Sequence, residues 1–404
     1  MDKKGPQLCL YNSCTACSAC ANICKHGAIG MSEDNHGEHH PVIDMDKCIG
    51  CGLCEKVCPE KESGRPERYG NPDVYYCWLQ ASENRKQSTS GGAGYAIACT
   101  VIRQGGHVWG AAYDENMMVR YIEANTIEEL KPIQKSKYVQ SYVGDSFTHI
   151  KEELKRGELV LFTGTSCHVK GLRAYLQKDY DNLLTVDLVC HGVPGQGVFR
   201  KYKEWLEKKY DDHMIFFDFR PKEEDGQERV CRTKATFEKR GKVNIELKEN
   251  GYFVGFQRNL FLREACFRCT CKGEQRYADI TIADFWGLGK VEPFKENLQR
   301  PYGISMLAFN SNKSKILLPH LQNDLLMEKR SYEEASISNT QYYISAKPSP
   351  LKENFWKEWK QFSWEELTDK YLTYTAKDLV LYVIKKHTPP HLLSYVKSLA
   401  KWIK

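Results

Sequence analysis

Eight cysteines within the first sixty residues are spaced to hold iron. Cys14, Cys17 and Cys20 are each separated by two residues, and Cys24 follows after three more. Cys48, Cys51 and Cys54 repeat the pattern, and Cys58-Pro59 closes the second half. Two-residue gaps let three thiolates reach three corners of one iron–sulfur cube, and the three-residue gap sends the fourth thiolate to the other cube. Cys14, Cys17, Cys20 and Cys58 are therefore assigned to one 4Fe–4S cluster, and Cys48, Cys51, Cys54 and Cys24 to a second. Zinc would call for two well-separated CxxC knuckles rather than three evenly spaced cysteines and a lone fourth. Disulfides would call for an oxidising compartment, yet Met1-Asp2-Lys3-Lys4-Gly5 opens no apolar export signal. Lys25 stands where the first half of such a repeat usually carries proline, and it touches no ligand.

Four of the remaining cysteines are placed by the elements around them. Leu159 to Thr163 reads as a buried strand, followed by the turn Gly164-Thr165-Ser166-Cys167-His168 and a helix containing Leu172 and Leu176. Leu183 to Val189 is the next strand, ending at Cys190-His191-Gly192-Val193-Pro194. This is a βαβ unit, so the two strands should be parallel with a right-handed crossover. Both strands deliver a cysteine at their carboxyl ends, where open α/β sheets bind ligands. Cys266 and Cys269 form a chelating CxxC pair, and Cys271 is a spare. Cys167, Cys190, Cys266 and Cys269 would complete one further cluster; the other reading is four buried structural thiols. Ser88 to Gly92 opens a helical pattern through about Gln104, and its free amides suit an anion or an ordinary cap.

The elements that carry these residues divide into three segments: 1–62 as a two-cluster ferredoxin-type domain, 73–340 as a mixed α/β domain, and 350–404 as a basic helical extension. The fold class expected is α/β (α+β). A hairpin between the two cysteine halves carries His36, His39 and His40 at a tip read as solvated. A polar linker, Pro59 to Pro72, precedes strands at Val74–Leu79 and His107–Tyr113. Phe147, Ile150 and Leu154 mark a helix closed by Gly157, and Ala278 to Phe285 reads as a strand. The chain has 404 residues, is 41% hydrophobic and carries net charge +6, a balance that does not call for nucleic acid. No apolar run spans a membrane. Seventeen cysteines without an export signal point to a reducing cytoplasm. Ala376–Lys386 and His391–Lys404 read as basic helices, expected either to pack as solvated helices on their own domain or to meet a partner or the inner face of a membrane as peripheral contacts.

Taken in order, these motifs resemble the coenzyme F420 hydrogenase/dehydrogenase beta-subunit family over roughly residues 10 to 300. The resemblance rests on the ferredoxin run, Ser90-Gly91-Gly92, Ser136-Lys137-Tyr138, the Gly164–Cys167 turn, Cys190 to Pro194, the Cys266/Cys269 pair, and Ala278-Asp279-Ile280-Thr281 through Asp284-Phe285-Trp286-Gly287. It implies FAD at the edge of the α/β domain, beside a third 4Fe–4S cluster held by Cys167, Cys190, Cys266 and Cys269. It places Ser90, Gly91 and Gly92, with Lys137, near the flavin. Gly164 and Thr165 are read as further cofactor-binding residues, and His168 and His191 either as proton donors near the flavin or as plain structural hydrogen-bonding groups. The family's turn usually reads Gly-Thr-Pro-Cys-Gln, where this chain has Ser166 and His168, and Pro194 is followed by Gly195 rather than serine. The function expected is electron transfer from a low-potential donor, such as reduced ferredoxin, through the clusters to FAD and an unidentified small molecule. A polysaccharide precursor is the analogy for that molecule. The rival expectations are a redox-sensing interaction protein and a non-catalytic electron-transfer subunit.

Overall fold

The computed structural model describes residues 5–228 and 232–374. Near the N-terminus, two short helices, α1 (Ala19–Ile23) and α2 (Leu53–Lys56), flank a hairpin of β1 (Ile29–Glu33) and β2 (His39–Ile43). Each helix is entered through a left-handed residue, Ser18 (φ 58°) or Gly52 (φ 74°), which turns the chain sharply after its cysteines. The hairpin tip is not solvated, contrary to expectation. His36 stacks on Trp356 with centroids 4.1 Å apart, and His40 is buried against Tyr11 at 3.9 Å. The Gly37 carbonyl accepts a hydrogen bond from the Gly197 amide (3.1 Å). The tip docks onto the next domain because two glycines allow backbone to meet backbone.

That domain is built on an eight-stranded mixed sheet. In chain order its strands are β3 (Asp73–Leu79), β4 (His107–Tyr113), β5 (Val119–Ala124), β6 (Val160–Thr165), β7 (Leu183–Leu188), β11 (Ile280–Asp284), β12 (Ser305–Phe309) and β13 (Leu325–Arg330). The intervening β8 (Met214–Asp218), β9 (Thr233–Phe237) and β10 (Gly241–Ile245) form a separate antiparallel sheet. The large sheet runs β13-β3-β12-β11-β7-β6-β4-β5, parallel from β11 to β4 and antiparallel at both flanks. Leu183 to Asp187 of β7 are buried on both faces, as helix-covered parallel strands are, with Thr185 and Asp187 as polar members of one face.

The crossover between β6 and β7 is α6 (Ser166–Leu176), as the βαβ reading requires. Helices α3 (Ser82–Gln87), α4 (Ala93–Arg103), α5 (Ser146–Lys155) and α7 (Gln196–Tyr210) complete the part that positions the site. The helix expected to open at Ser88 starts at Ala93, and α3 precedes it unannounced. Between them Ser90 (φ 55°) and Gly92 (φ 88°) take left-handed conformations that interrupt the helical pattern. Small residues let α4 lie close on the sheet: Ala93, Ala96, Ile97 and Val101 share a core with Leu161, Val186 and Ile280. Residues 351–374 contribute to an aromatic core, where Phe355, Trp364 and Leu367 pack with Tyr202, Phe217 and Tyr252. The basic stretch expected to reach a partner or membrane, 376–404, lies outside the described residues, as does Cys231.

Candidate iron–sulfur and cofactor site

The eight motif cysteines, Cys14 to Cys58, are expected in two groups of four. Cys24, Cys48, Cys51 and Cys54 line one small pocket. Cys17 is buried, and the charges of Cys20, Cys14 and Cys58 weigh on it. Burial pushes the Cys20 thiol up to about 12, helped by the charges of Cys14 and Cys58. Cys17 and Cys20 thus resist ionisation, a cost that a cationic iron core would offset, whereas hydrogen bonding with Cys9 lowers Cys14 and Cys58, the latter to about 6. The Cys24 sulfur accepts a hydrogen bond from the Ala28 amide (3.3 Å), a contact of the kind that would orient a ligand thiolate and tune a cluster.

The second set comes together from four elements. Cys167 lies in the first turn of α6, Cys190 follows β7, Cys266 sits in the short helix Glu264–Phe267, and Cys269 is in the turn after it. Burial raises the Cys167 thiol to about 12, with Cys190 and Cys269 adding to the rise. Cys266 is likewise raised by burial and by Cys190, Cys167 and Cys269. The Val193 amide donates to the Cys266 sulfur at 3.4 Å. Cys269 and Cys271 share a thiol hydrogen bond that lowers Cys269 and raises Cys271. The donor set suits an iron–sulfur cluster, with four thiols, one amide-to-sulfur bond and a buried setting.

Buried charged groups bolt these turns in place. Arg276 donates to Asp187 Oδ2 (2.8 Å), Ser166 Oγ (2.6 Å), and the carbonyls of Cys271 (3.0 Å) and Leu188 (3.2 Å). It thus ties the turns of Cys167, Cys190 and Cys271 together. Asp187 also accepts from the hydroxyls of Ser166 (2.6 Å) and Thr281 (2.6 Å). The Asp279 carboxylate accepts from the Thr185 amide (2.9 Å) and hydroxyl (2.7 Å) and from Ser311 (2.7 Å). The Ala278–Thr281 motif is thereby a structural clasp between β7 and β11. Arg263, also buried, donates to Gln140 Oε1 (2.8 Å) and the Cys14 carbonyl (3.1 Å), fastening the ferredoxin-like part to the sheet domain. Sequence reasoning missed both arginines. The one signal for Arg276 was its place just before the clasp motif.

Beyond the carboxyl ends of β6 and β7 opens a cleft of about 3020 Å³. Ser90, Gly92, Lys137, Gly164, Thr165, Cys190 and His191 all line it. Gly91 stands just behind the wall. Its amide donates to Ser305 Oγ (3.0 Å), and a Cβ there would meet the Cys77 carbonyl oxygen at 2.4 Å. Lys222 holds the loop by donating to the carbonyls of Ser90 (2.6 Å) and Arg85 (2.7 Å), and burial pushes its ammonium down to about 7. No side chain caps the N-terminus of α4, so its first amides face the cleft ready for an anion. Burial pushes Lys137 down to about 7, and its Nζ turns back to the carbonyls of Pro132, Ile133 and Gln134. Burial alone would raise Asp284, but the bidentate Arg220 (2.7 and 2.9 Å) and the Ser90 hydroxyl hold it below the usual carboxylate range.

The two histidines differ in placement. His191 lines the cleft, with Nε2 2.6 Å from Asn259 Oδ1 and Nδ1 3.4 Å from Gln341 Nε2. Burial lowers it, so it is a neutral imidazole with Nε2–H facing the Asn259 oxygen. His168 is buried away from the cleft lining, with Nδ1 2.9 Å from the Tyr121 hydroxyl, and burial lowers it to about 4. Tyr121 stands between it and the cleft.

Comparison with known proteins adds an independent reading. Residues 157–335 match the family described as the C terminus of the beta subunit of coenzyme F420 hydrogenase/dehydrogenase. Residues 13–61 match a 4Fe-4S dicluster domain. Forty residues are 45% identical to a probable iron-sulfur subunit of the Frd operon of Proteus vulgaris, covering 10% of this chain and 22% of that protein. The chain thus spans about a fifth of the length of this curated relative. A chain of the F420-reducing [NiFe] hydrogenase complex from Methanosarcina barkeri aligns at 14% identity and TM-score 0.43, over 68% of this chain and 88% of that one. The two family matches show an iron–sulfur protein of redox type. Among the described residues no helix is long and apolar enough to cross a membrane.

Proposed function

We propose that this chain, which belongs to the coenzyme F420 hydrogenase/dehydrogenase beta-subunit family through residues 157–335 and carries a 4Fe-4S dicluster domain at 13–61, is an oxidoreductase that delivers electrons to FAD in its large cleft. One observation carries the reading. Cys167, Cys190, Cys266 and Cys269 converge between the dicluster core and the cleft, and Cys190 itself lines the cleft. Cys17, Cys167 and Cys269 share one apolar core, so no solvent gap separates the first site from the second. Electrons enter at the outer group, where Cys51 and Ile49 line one pocket and both are exposed. A low-potential one-electron carrier of the ferredoxin type is the donor that suits such an inlet.

Bound FAD would supply the conversion of single electrons into two-electron chemistry. The chain's own residues fit that group: the uncapped start of α4 suits its pyrophosphate, and Ile133, Ile282 and Phe285 give an apolar wall for its ring. The cleft exceeds the roughly 300–1,000 Å³ of an ordinary ligand site, leaving room for a substrate beside the flavin. Its wall carries exposed Trp286 with Asn297, Gln299 and Gln341, a ring face and amides suited to a polar, hydroxyl-rich molecule such as a saccharide precursor. His191 positions groups at this wall as a neutral donor and acceptor. The test is anaerobic mixing of reduced ferredoxin with the purified chain supplied with FAD. Flavin bleaching that follows cluster reduction, and that Cys190→Ala slows, is the expected result. A chain that binds no FAD, or bleaches it equally fast without Cys190, would sink the proposal.

A further inference from the structure

Helix α6 serves both cysteine sites within a single turn. Cys167 lies in its first turn, and Gly171, four residues on, presses against Cys17 of the dicluster domain. A Cβ added at Gly171 would stand 2.5 Å from the Cys17 Cβ and 2.8 Å from its Sγ. Residues four apart share a helix face and are separated by a rise of about 6 Å. Neighbouring Lys170 is fully buried and donates to Glu60 Oε1 (2.8 Å) and Thr270 Oγ1 (3.0 Å). Glu60 lies two residues past Cys58, and Thr270 directly follows Cys269. One turn of α6 is thus clamped to the ligand loops of both sites.

A glycine inside a helix is destabilising relative to alanine. Gly171 is not among the glycines with positive φ, so backbone conformation does not call for it. The contact with Cys17 does. We infer that Gly171 is a positioning residue that sets the separation between the cluster of Cys14, Cys17, Cys20 and Cys58 and the cluster of Cys167, Cys190, Cys266 and Cys269. The inference rests on the third-cluster reading above. Any side chain at 171 must displace Cys17, whose sulfur iron would fix, or tilt α6 and carry Cys167 away with it. The step served is transfer of one electron: the Cys17 site is oxidised by one and the Cys167 site reduced by one. No bond breaks and no proton moves. The electron comes from the low-potential donor. Tunnelling falls exponentially with separation, and magnetic coupling between reduced clusters falls with its cube, so both report on this contact.

The experiment is low-temperature electron paramagnetic resonance on the full chain, reconstituted and reduced anaerobically, with iron counted per chain. The component of dipolar broadening that disappears in Cys266→Ala/Cys269→Ala is the coupling between the two sites. Gly171→Ala should retain about twelve iron atoms, at four per cluster, and show that component reduced, with slower arrival of electrons at the third cluster. Twelve iron with the component unchanged in Gly171→Ala overturns the role of Gly171. About eight iron in the unaltered chain instead overturns the third-cluster reading, so the two failures are distinguishable. If Gly171→Ala does not assemble, the unaltered chain decides: twelve iron with no component lost in Cys266→Ala/Cys269→Ala refutes close approach of the sites.

Discussion

Removing the Arg276 guanidinium should be among the most damaging single changes in the sheet domain. Arg276 and Asp187 are 2% and 0% exposed at their side chains, and their charges meet at 2.8 Å. Breaking a buried pair by deleting one partner leaves the other charge unpaired and costs about 3–5 kcal/mol. In Arg276→Met the Asp187 carboxylate keeps two hydroxyl donors, Ser166 and Thr281, which places the cost near the lower end, about 3 kcal/mol. The Ser166 hydroxyl and the Leu188 and Cys271 carbonyls also lose a donor, so the turns of Cys167, Cys190 and Cys271 loosen together. The assay is anaerobic urea unfolding followed by tryptophan fluorescence, run with Asp187→Leu and the double variant. The two single losses should not add, because the double variant removes both charges. A loss below about 1 kcal/mol in Arg276→Met, or full additivity in the double variant, would refute a buried, mutually dependent pair.

Replacing Cys266 and Cys269 by alanine should lower iron from about twelve to about eight atoms per chain without unfolding the dicluster domain; unchanged iron contradicts the third ligand set. Gly91→Ala should cost about 1–3 kcal/mol and release bound flavin, since its Cβ meets the backbone of Cys77 at 2.4 Å and Ser305 at 2.7 Å. Flavin retention and an unchanged urea midpoint would show that the loop can give way. Lys222 ordinarily titrates near 10.5, and burial brings it down to about 7. Between those values the unfolded chain binds a proton that the folded chain has released, so this group makes stability rise with pH across that window. Lys222→Met should remove its share of the rise, read as the difference from the unaltered chain in urea titrations at about pH 7 and about pH 9. A constant difference at the two pH values contradicts the shift.

The ferredoxin-like run was legible because cluster ligation is written in spacing, and Cys24, Cys48, Cys51 and Cys54 meet around one pocket as counted. The β6–α6–β7 unit was legible for a similar reason: two apolar strands flank one helical period. What escaped was non-local. Nothing near Arg276 or Arg263 announces that its charge will be buried against residues some ninety or more positions away. Helix α3 and the late start of α4 escaped because left-handed Ser90 and Gly92 break a pattern that reads as continuous helix. The hairpin histidines were read as solvated because Trp356, which covers His36, lies some three hundred residues later. Gly171 reads as an ordinary helix residue until Cys17 is seen against it.

The proposed arrangement is three cysteine sites and a flavin cleft in series. It is tested most directly by one anaerobic preparation of the full chain, assayed together for iron, acid-labile sulfide and flavin. The expected result is about twelve iron, about twelve sulfide and one FAD per chain. About eight of each with no flavin would leave the dicluster domain standing and contradict the rest.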